Sequence, residues 1–375
     1  LTLGGTNKTP FVEMLVQEIA GKGIRVGIVS RGYKGGATAP EIVGRSAPGS
    51  FAGDEPLLLH HRLPGVPIAV ANDRNEGISL LGTEEGVELA VADDAFQHRR
   101  LRRDVDIALV DALCPWGNGR LFPAGLLREG AEALCRAHLV VITKADQVSS
   151  ERLENLKREI ENLVGPERIF CSRLVVSRWD RWDGTWEPGG PDTMAGKSAV
   201  AFSAIGNPAS FRRSLEQQGV RVDAEYCFRD HHRFTEKDLA RLCEKARFLG
   251  SDTLVCSEKD IYNLPSGWVP PMPLFVPRVR TEIVGEPERF WKTLWGFLRP
   301  RLVVASNGYG EDAVGVILGK KLRDALPQAE ILAFSLVGAG KPYTDAGFEV
   351  ASPVAETPSG GIVKYNILDF LRDLR

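Results

Sequence analysis

Apolar positions along the chain fall into two periods. Phe11, Leu15 and Ile19 recur at helical spacing with Val12 and Val16 beside them, and the run stops at Gly21 and Gly23. Between helical stretches stand short β-branched runs: Ile24–Ser30, Ile68–Ala71, Val87–Ala92, Val105–Val110 and Leu139–Thr143. That alternation predicts βαβ units and a mostly parallel sheet. Between Leu174 and Pro188 the chain turns to Trp, Arg and Asp around Asp183-Gly184, a hairpin signal that also suits a linker. Beyond it the pattern predicts a strand over Ala199–Ser203, a helix from about Pro208, a strand through Tyr226, a helix from Thr235 to Leu249 and the strand Thr253–Cys256. A helix carrying Phe290, Trp291, Leu294, Trp295 and Leu298 ends at Pro300, and a new strand opens at Leu302. The expected organisation is an α/β domain at 1–173, a two-stranded linker at 174–190, a smaller α/β domain at 191–299 and a truncated α/β segment at 301–375.

Composition narrows the class. Of 375 residues, 43% are hydrophobic and 26% charged, the balance of a chain that folds and buries a core. A net charge of −2 argues against a general nucleic-acid binder, whose footprint is strongly basic. The six cysteines lie far apart with no C-x-x-C pair, which fits neither a zinc site nor a disulfide framework and suits reduced, cytoplasmic thiols. No apolar run approaches the ~18 residues of a membrane-spanning helix. The opening at Leu1 reads as the end of a strand running into a phosphate loop, so the strand is expected to start upstream.

Two constellations carry chemistry. The first is the stretch Thr2, Leu3, Gly4, Gly5, Thr6, Asn7, Lys8, Thr9, placed between a strand end and the Phe11 helix. Backbone N–H groups and the helix dipole favour phosphate there. Lys8 would reach the β- and γ-phosphates and Thr9 would bind Mg²⁺. Against G-x-x-x-x-G-K-[ST], Thr2 and Asn7 stand where glycines are expected. Asn tolerates a left-handed backbone, so Asn7 can hold the turn that glycine makes, although an ordinary strand-to-helix turn with a surface lysine fits the string as well. The second constellation is the apolar run from Val87 ending in Asp93-Asp94, carboxylates delivered at a strand's C-terminal end, where a metal-binding acid of a P-loop enzyme sits. Magnesium takes one or two such carboxylates with phosphate oxygens and waters.

The strings GGTNKTP at Gly4, SRGYKG at Ser30, GDEP at Gly53, DDAFQH at Asp93, NGRLFPAGLLRE at Asn118, FRDHHRFT at Phe228 and SEKD at Ser257 resemble the successive motifs of the tetraacyldisaccharide 4′-kinases. Asn7 and Ala95 replace the family's usual glycines, and Ser257 its usual threonine. The resemblance implies two α/β domains joined by a two-stranded linker and ATP with Mg²⁺ in the first domain. It also implies a tetraacyldisaccharide 1-phosphate acceptor bound between the domains, and peripheral placement on the cytoplasmic face of the bacterial inner membrane, with a membrane-associated helix outside this sequence. Asp54 matches the acid that activates the acceptor hydroxyl and His231 its interdomain partner. Arg74 and Arg128 fall on motifs where arginine clamps phosphate, and Glu129 where an acid joins Asp93, Asp94 and Thr9 around the metal. The run His98–Arg103 suits either an anionic headgroup or a solvated turn.

Two rival readings are set beside this one. Thr143-Lys-Ala-Asp146 looks like the guanine-reading signature of P-loop GTPases, so a metallochaperone-like GTPase is the alternative enzyme. A non-catalytic lipid-binding module is the other, opposed by Lys8, Thr9, Asp93 and Asp94. The segment from SNGYGED at Ser306 resembles the start of glycosyltransferases related to lipid A disaccharide synthase.

Overall fold

The computed structural model describes residues 2, 6–31, 39–45, 53–298, 301–307, 309–326, 329–336 and 340–350. Leu3, Gly4, Gly5 and residues 32–35 of the SRGYKG string lie outside them. The chain forms two compact units, Leu1–Phe290 and Trp291–Arg375.

The first unit opens with α1 (Lys8–Gly21), β1 (Val26–Ser30), β2 (Glu41–Ile42), α2 (Asp54–Arg62), β3 (Ile68–Val70), α3 (Arg74–Glu85) and β4 (Leu89–Ala92). Its four strands form a sheet in the order β2-β3-β1-β4, parallel except for β2. Every residue of β1 is buried, which suits a β-branched run covered on both faces. Helix α3 approaches this sheet closely at Gly77, where an added Cβ would stand 2.7 Å from a Val29 methyl. That approach carries Arg74, at the helix start, to the C-terminal edge of the strands.

The chain continues through β5 (Ile107–Asp111), β6 (Leu139–Thr143), α4 (Ser150–Val164), β7 (Ile169–Trp182), β8 (Trp186–Pro188), β9 (Ser198–Ser203), α5 (Pro208–Gln217), β10 (Arg221–Cys227), α6 (Glu236–Phe248), β11 (Leu254–Cys256), α7 (Glu258–Ile261), β12 (Leu274–Val284) and α8 (Pro287–Leu298). A second sheet runs β10-β9-β11-β12-β7-β6-β5, with β8 on β7. It is parallel except where β7 meets β8 and β12. The Asp183-Gly184 turn makes the expected hairpin but spends only three residues on it, Trp182 facing Trp186. The strand that accompanies β7 for its length is β12, paired from Cys171↔Val284 to Trp182↔Leu274. This antiparallel ribbon joins the two halves of the unit.

Helix α4 buries Leu156, Ile160 and Val164 against Val110, Val140 and Ile142. Helix α6 buries Leu239, Leu242 and Cys243 against Val200, Leu254 and Leu274, and a Thr235–Asp238 capping box fixes its start. Phe290, in the first turns of α8, sits edge-on to both Phe11 and Phe170.

In the second unit, β13 (Arg301–Ser306), α9 (Tyr309–Ala325), β14 (Glu330–Ser335), α10 (Lys341–Asp345) and β15 (Glu349–Val350) form a parallel three-stranded sheet in the order β13-β14-β15. Its core holds Val304, Ile331, Ala333, Tyr343 and Phe348. No helix among the described residues is long and apolar enough to cross a membrane.

Candidate active site

Thr6, Asn7, Lys8 and Thr9 line one end of a cavity of about 950 Å³ in the first unit. Asn7 caps α1 with φ 60° and ψ 30°, the left-handed turn for which glycine is usual, and its carbonyl accepts the Phe11 N–H at 3.3 Å. Thr2 bridges antiparallel to Leu127, which ties the loop's approach to the segment carrying Arg128.

Strand β4 runs beside β1, and Asp93 and Asp94 follow its last residue. The Asp93 N–H donates to the Val29 carbonyl at 2.9 Å, which places the carboxylate at the cavity floor, 3% exposed. Burial, with Glu55 repulsion adding, pushes this acid up to about 7, although Lys8 pulls the other way. Asp94 takes Lys8 Nζ at 3.0 Å and Arg128 at 2.8 Å, and these two cations outweigh its burial and hold it below the usual carboxylate range. Arg74 does not line the cavity but is buried beside Asp94, with a guanidinium nitrogen 3.5 Å from the Asp94 carbonyl. Its burial, with Arg31 nearby, holds it below the ordinary arginine value.

Glu129 goes elsewhere. One oxygen accepts from Arg99 at 2.9 Å and the other from Arg136, and these hydrogen bonds outweigh its partial burial and keep it below the ordinary glutamate value. Two local arginines that its motif does not mention have claimed both oxygens, so the structure does not bring it to Thr9, Asp93 and Asp94. Among the described residues no cluster of three or more His, Cys, Asp or Glu can hold a metal. A magnesium ion that arrives on ATP needs fewer protein ligands, and the residues fit one. Among the described residues Asp93 Oδ1 is buried without a hydrogen-bond partner, an acceptor that a cation would satisfy, and Thr9 lines the same cavity.

The Asp93 shift has a measurable consequence. Between its ordinary value of 3.8 and about 7 the folded protein keeps a proton that the unfolded chain has released, so this group's contribution to stability falls as pH rises through that window. Asp93→Asn stays neutral throughout. Melting without nucleotide or metal should show it more stable than the parent at about pH 8, by roughly 2–4 kcal/mol, and nearly equal at about pH 4. The same variant should lose Mg²⁺-dependent turnover.

Asp54, beside the cavity-lining Glu55, begins α2, where the helix dipole favours a carboxylate, and it is 9% exposed. His231 lies 177 positions away and meets it, Nδ1 to Oδ2 at 3.0 Å. The His231 backbone is held in the left-handed region, φ 60°, with its N–H on the Ala204 carbonyl at 3.1 Å. The histidine that serves the Thr235 helix is its neighbour His232, 3.2 Å from Asp238. Two residues that the sequence reading passed over join the pair: Lys259 Nζ is 3.3 Å from His231 Nε2, and Asn263 Nδ2 is 3.4 Å from Asp54 Oδ2. The SEKD string was the available signal, since it places Lys259 in a motif, but nothing in one sequence says what that lysine faces.

Apolar residues line part of the same cavity: Leu174 and Val176 of β7, Pro277 and Val279 of β12, Phe211 and Phe122. Lys144 of the Thr-Lys-Ala-Asp string is 2% exposed and its ammonium is committed to Asp111. Asn7, Asp94, Lys144 and His231 are the non-glycine residues with positive φ among those described, and all four line this cavity.

A phosphate loop, a strand-end acid pair and a carboxylate–histidine pair around one cleft define a phosphotransferase of the P-loop kinase class. The family model for tetraacyldisaccharide-1-P 4′-kinase matches residues 1–299. Tetraacyldisaccharide 4′-kinase of Anaeromyxobacter sp. (strain K) is 38% identical over 269 residues, 70% of each chain. That of Halothermothrix orenii is 34% identical over 69% of this chain and 71% of its own. A crystal structure of LpxK from Aquifex aeolicus in complex with ATP superposes with a TM-score of 0.59 at 27% identity, covering 79% of this chain and 86% of that one. The chain belongs to the tetraacyldisaccharide 4′-kinase family.

Proposed function

We propose that this enzyme transfers the γ-phosphoryl group of ATP to the 4′-hydroxyl of tetraacyldisaccharide 1-phosphate, a lipid A precursor. The observation that carries this reading is that Lys8 and Thr9 of the phosphate loop line one cavity with His231, whose ring holds Asp54 at 3.0 Å. Lys8 and Arg128 supply positive charge for the phosphates, and Thr9 and Asp93 would hold a Mg²⁺ ion that arrives with the nucleotide. When bound, that ion neutralises charge on the phosphate oxygens. Asp54 orients the acceptor hydroxyl. As the hydroxyl oxygen bonds to the γ-phosphorus and the bond to the bridging oxygen breaks, its proton passes to Asp54 and ADP leaves with the electron pair. The apolar wall formed by Leu174, Val176, Pro277 and Val279 suits acyl chains.

Incubation with ATP–Mg²⁺ and the disaccharide 1-phosphate should yield a product heavier by one phosphoryl group. GTP should serve poorly, because the Lys144 ammonium is spent on Asp111 rather than offered to a base. Nucleotide hydrolysis with a GTP preference and no modified acceptor would return the reading to the GTPase class.

The same acceptor implies contact with a bilayer surface on its cytoplasmic side. The segment 118–127 is the candidate edge: Leu121, Phe122 and Leu126 are 54%, 67% and 47% exposed, Arg120 stands among them, and Phe122 also lines the cavity. Sedimentation with anionic vesicles should show binding that Leu121→Glu/Phe122→Glu reduces several-fold. Unchanged sedimentation of that variant would remove this segment from the membrane contact.

A further inference from the structure

We propose that Lys259 is a positioning residue that sets the tautomer of His231, an inference that rests on the assignment of Asp54 as the proton acceptor. An ammonium has only N–H groups to give. At 3.3 Å from Lys259 Nζ, His231 Nε2 must therefore present its lone pair. The ring proton then sits on Nδ1 and is donated to Asp54 Oδ2 at 3.0 Å. The opposite tautomer would set an N–H against the ammonium and a lone pair against the Asp54 carboxylate, so both contacts would turn repulsive. Asp230 Oδ2, 3.8 Å from Nε2, lies beyond hydrogen-bond reach of it, and the nearer ammonium decides. A doubly protonated ring would also face the ammonium with an N–H.

The surroundings hold Lys259 at this task. Its segment begins at a Ser257–Asp260 capping box, and the Asp260 carboxylate, fully buried, also takes the Ala204 N–H at 2.8 Å. Ala204 is the residue whose carbonyl holds the His231 backbone, so one short stretch fixes both partners. Glu258, next to Lys259, accepts from Arg62 at 2.7 Å and pairs with Arg278, which docks the segment on the helix that Asp54 begins. Asp230 at 3.5 Å and Glu55 at 4.0 Å balance the ammonium's charge. Asn263 of the same stretch gives its amide to Asp54 Oδ2 and, at 3.3 Å, to the Lys259 carbonyl. Both donors converge on Oδ2. Oδ1 has no hydrogen-bond partner among the described residues and is the oxygen left for the acceptor's proton.

The test reads the tautomer directly. In protein labelled with ¹⁵N-histidine, long-range ¹H–¹⁵N spectra assigned through His231→Gln should show His231 with its proton on Nδ1. Lys259→Met and Lys259→Gln should move it toward Nε2, and Lys259→Arg should keep it on Nδ1. In kinase assays Met and Gln should lower kcat by on the order of 10–100-fold with KM for ATP and acceptor within about twofold, and Arg should restore much of the loss. Two results would overturn the proposal: an unchanged tautomer in both neutral variants, or a raised acceptor KM at preserved kcat, which would make Lys259 a substrate-binding cation. A tautomer that shifts in a protein without kinase activity would leave this inference standing and sink the proposed reaction instead.

Discussion

Asp54→Ala is expected to lower kcat by ~10²–10⁴-fold while ATP affinity and melting temperature stay close to the parent's. The carboxylate is buried and meets His231 and Asn263, and no part of the phosphate loop touches it among the described contacts, so nucleotide binding has no reason to suffer. His231→Ala should reproduce the loss. It leaves Asp54 in place but removes the 3.0 Å hydrogen bond that aims it. Groups that act as one unit are not additive, so the double variant should be little worse than the more damaging single one. Steady-state kinetics on the three variants decide it, and losses that multiply would give the two residues independent roles.

Lys8→Ala is expected to cost on the order of 10²-fold or more in kcat, as removal of a preorganised charge at a developing anion does. The structure adds a second reason. Lys8 is 3.0 Å from Asp94 and also holds down Asp93, so its removal favours protonation of both carboxylates. The variant should therefore need more Mg²⁺ for half-maximal activity, and part of its deficit should be recovered above neutral pH. Titration of Mg²⁺ at two pH values measures this. An unaltered Mg²⁺ requirement would confine Lys8 to the phosphates.

Local patterns were legible and long-range partners were not. The runs at Ile68, Val87 and Leu139 lie within a residue or two of β3, β4 and β6, because a β-branched stretch between helical spacings states its own conformation. Asn7 could be read as a left-handed turn because few other side chains tolerate one. The long partner of β7 could not be found this way, since β12 begins almost a hundred residues later and alternation does not name its mate. The same limit hid Lys259 behind His231 and the two arginines that hold Glu129: Arg62 meets Glu258 across 196 positions, and Arg99 and Arg136 are ordinary arginines in sequence. The Asp54–His231 approach was reached through motif resemblance, because neither residue shows its partner in composition or spacing.

The four left-handed residues at the cavity bear on how this enzyme could adapt to heat. A non-glycine residue in that region costs on the order of a kcal/mol, and glycine there would relieve the cost, a familiar route to a hardier protein. At Asp94 and His231 that route is closed, since the strained backbone carries a carboxylate or an imidazole for which glycine has no substitute, whereas Asn7, which makes no side-chain cap, could give way to glycine. Apart from Asn7, stabilising changes are then expected away from the cleft, in surface ion pairs, helix termini and loop prolines, where no functional side chain holds the backbone in a costly conformation.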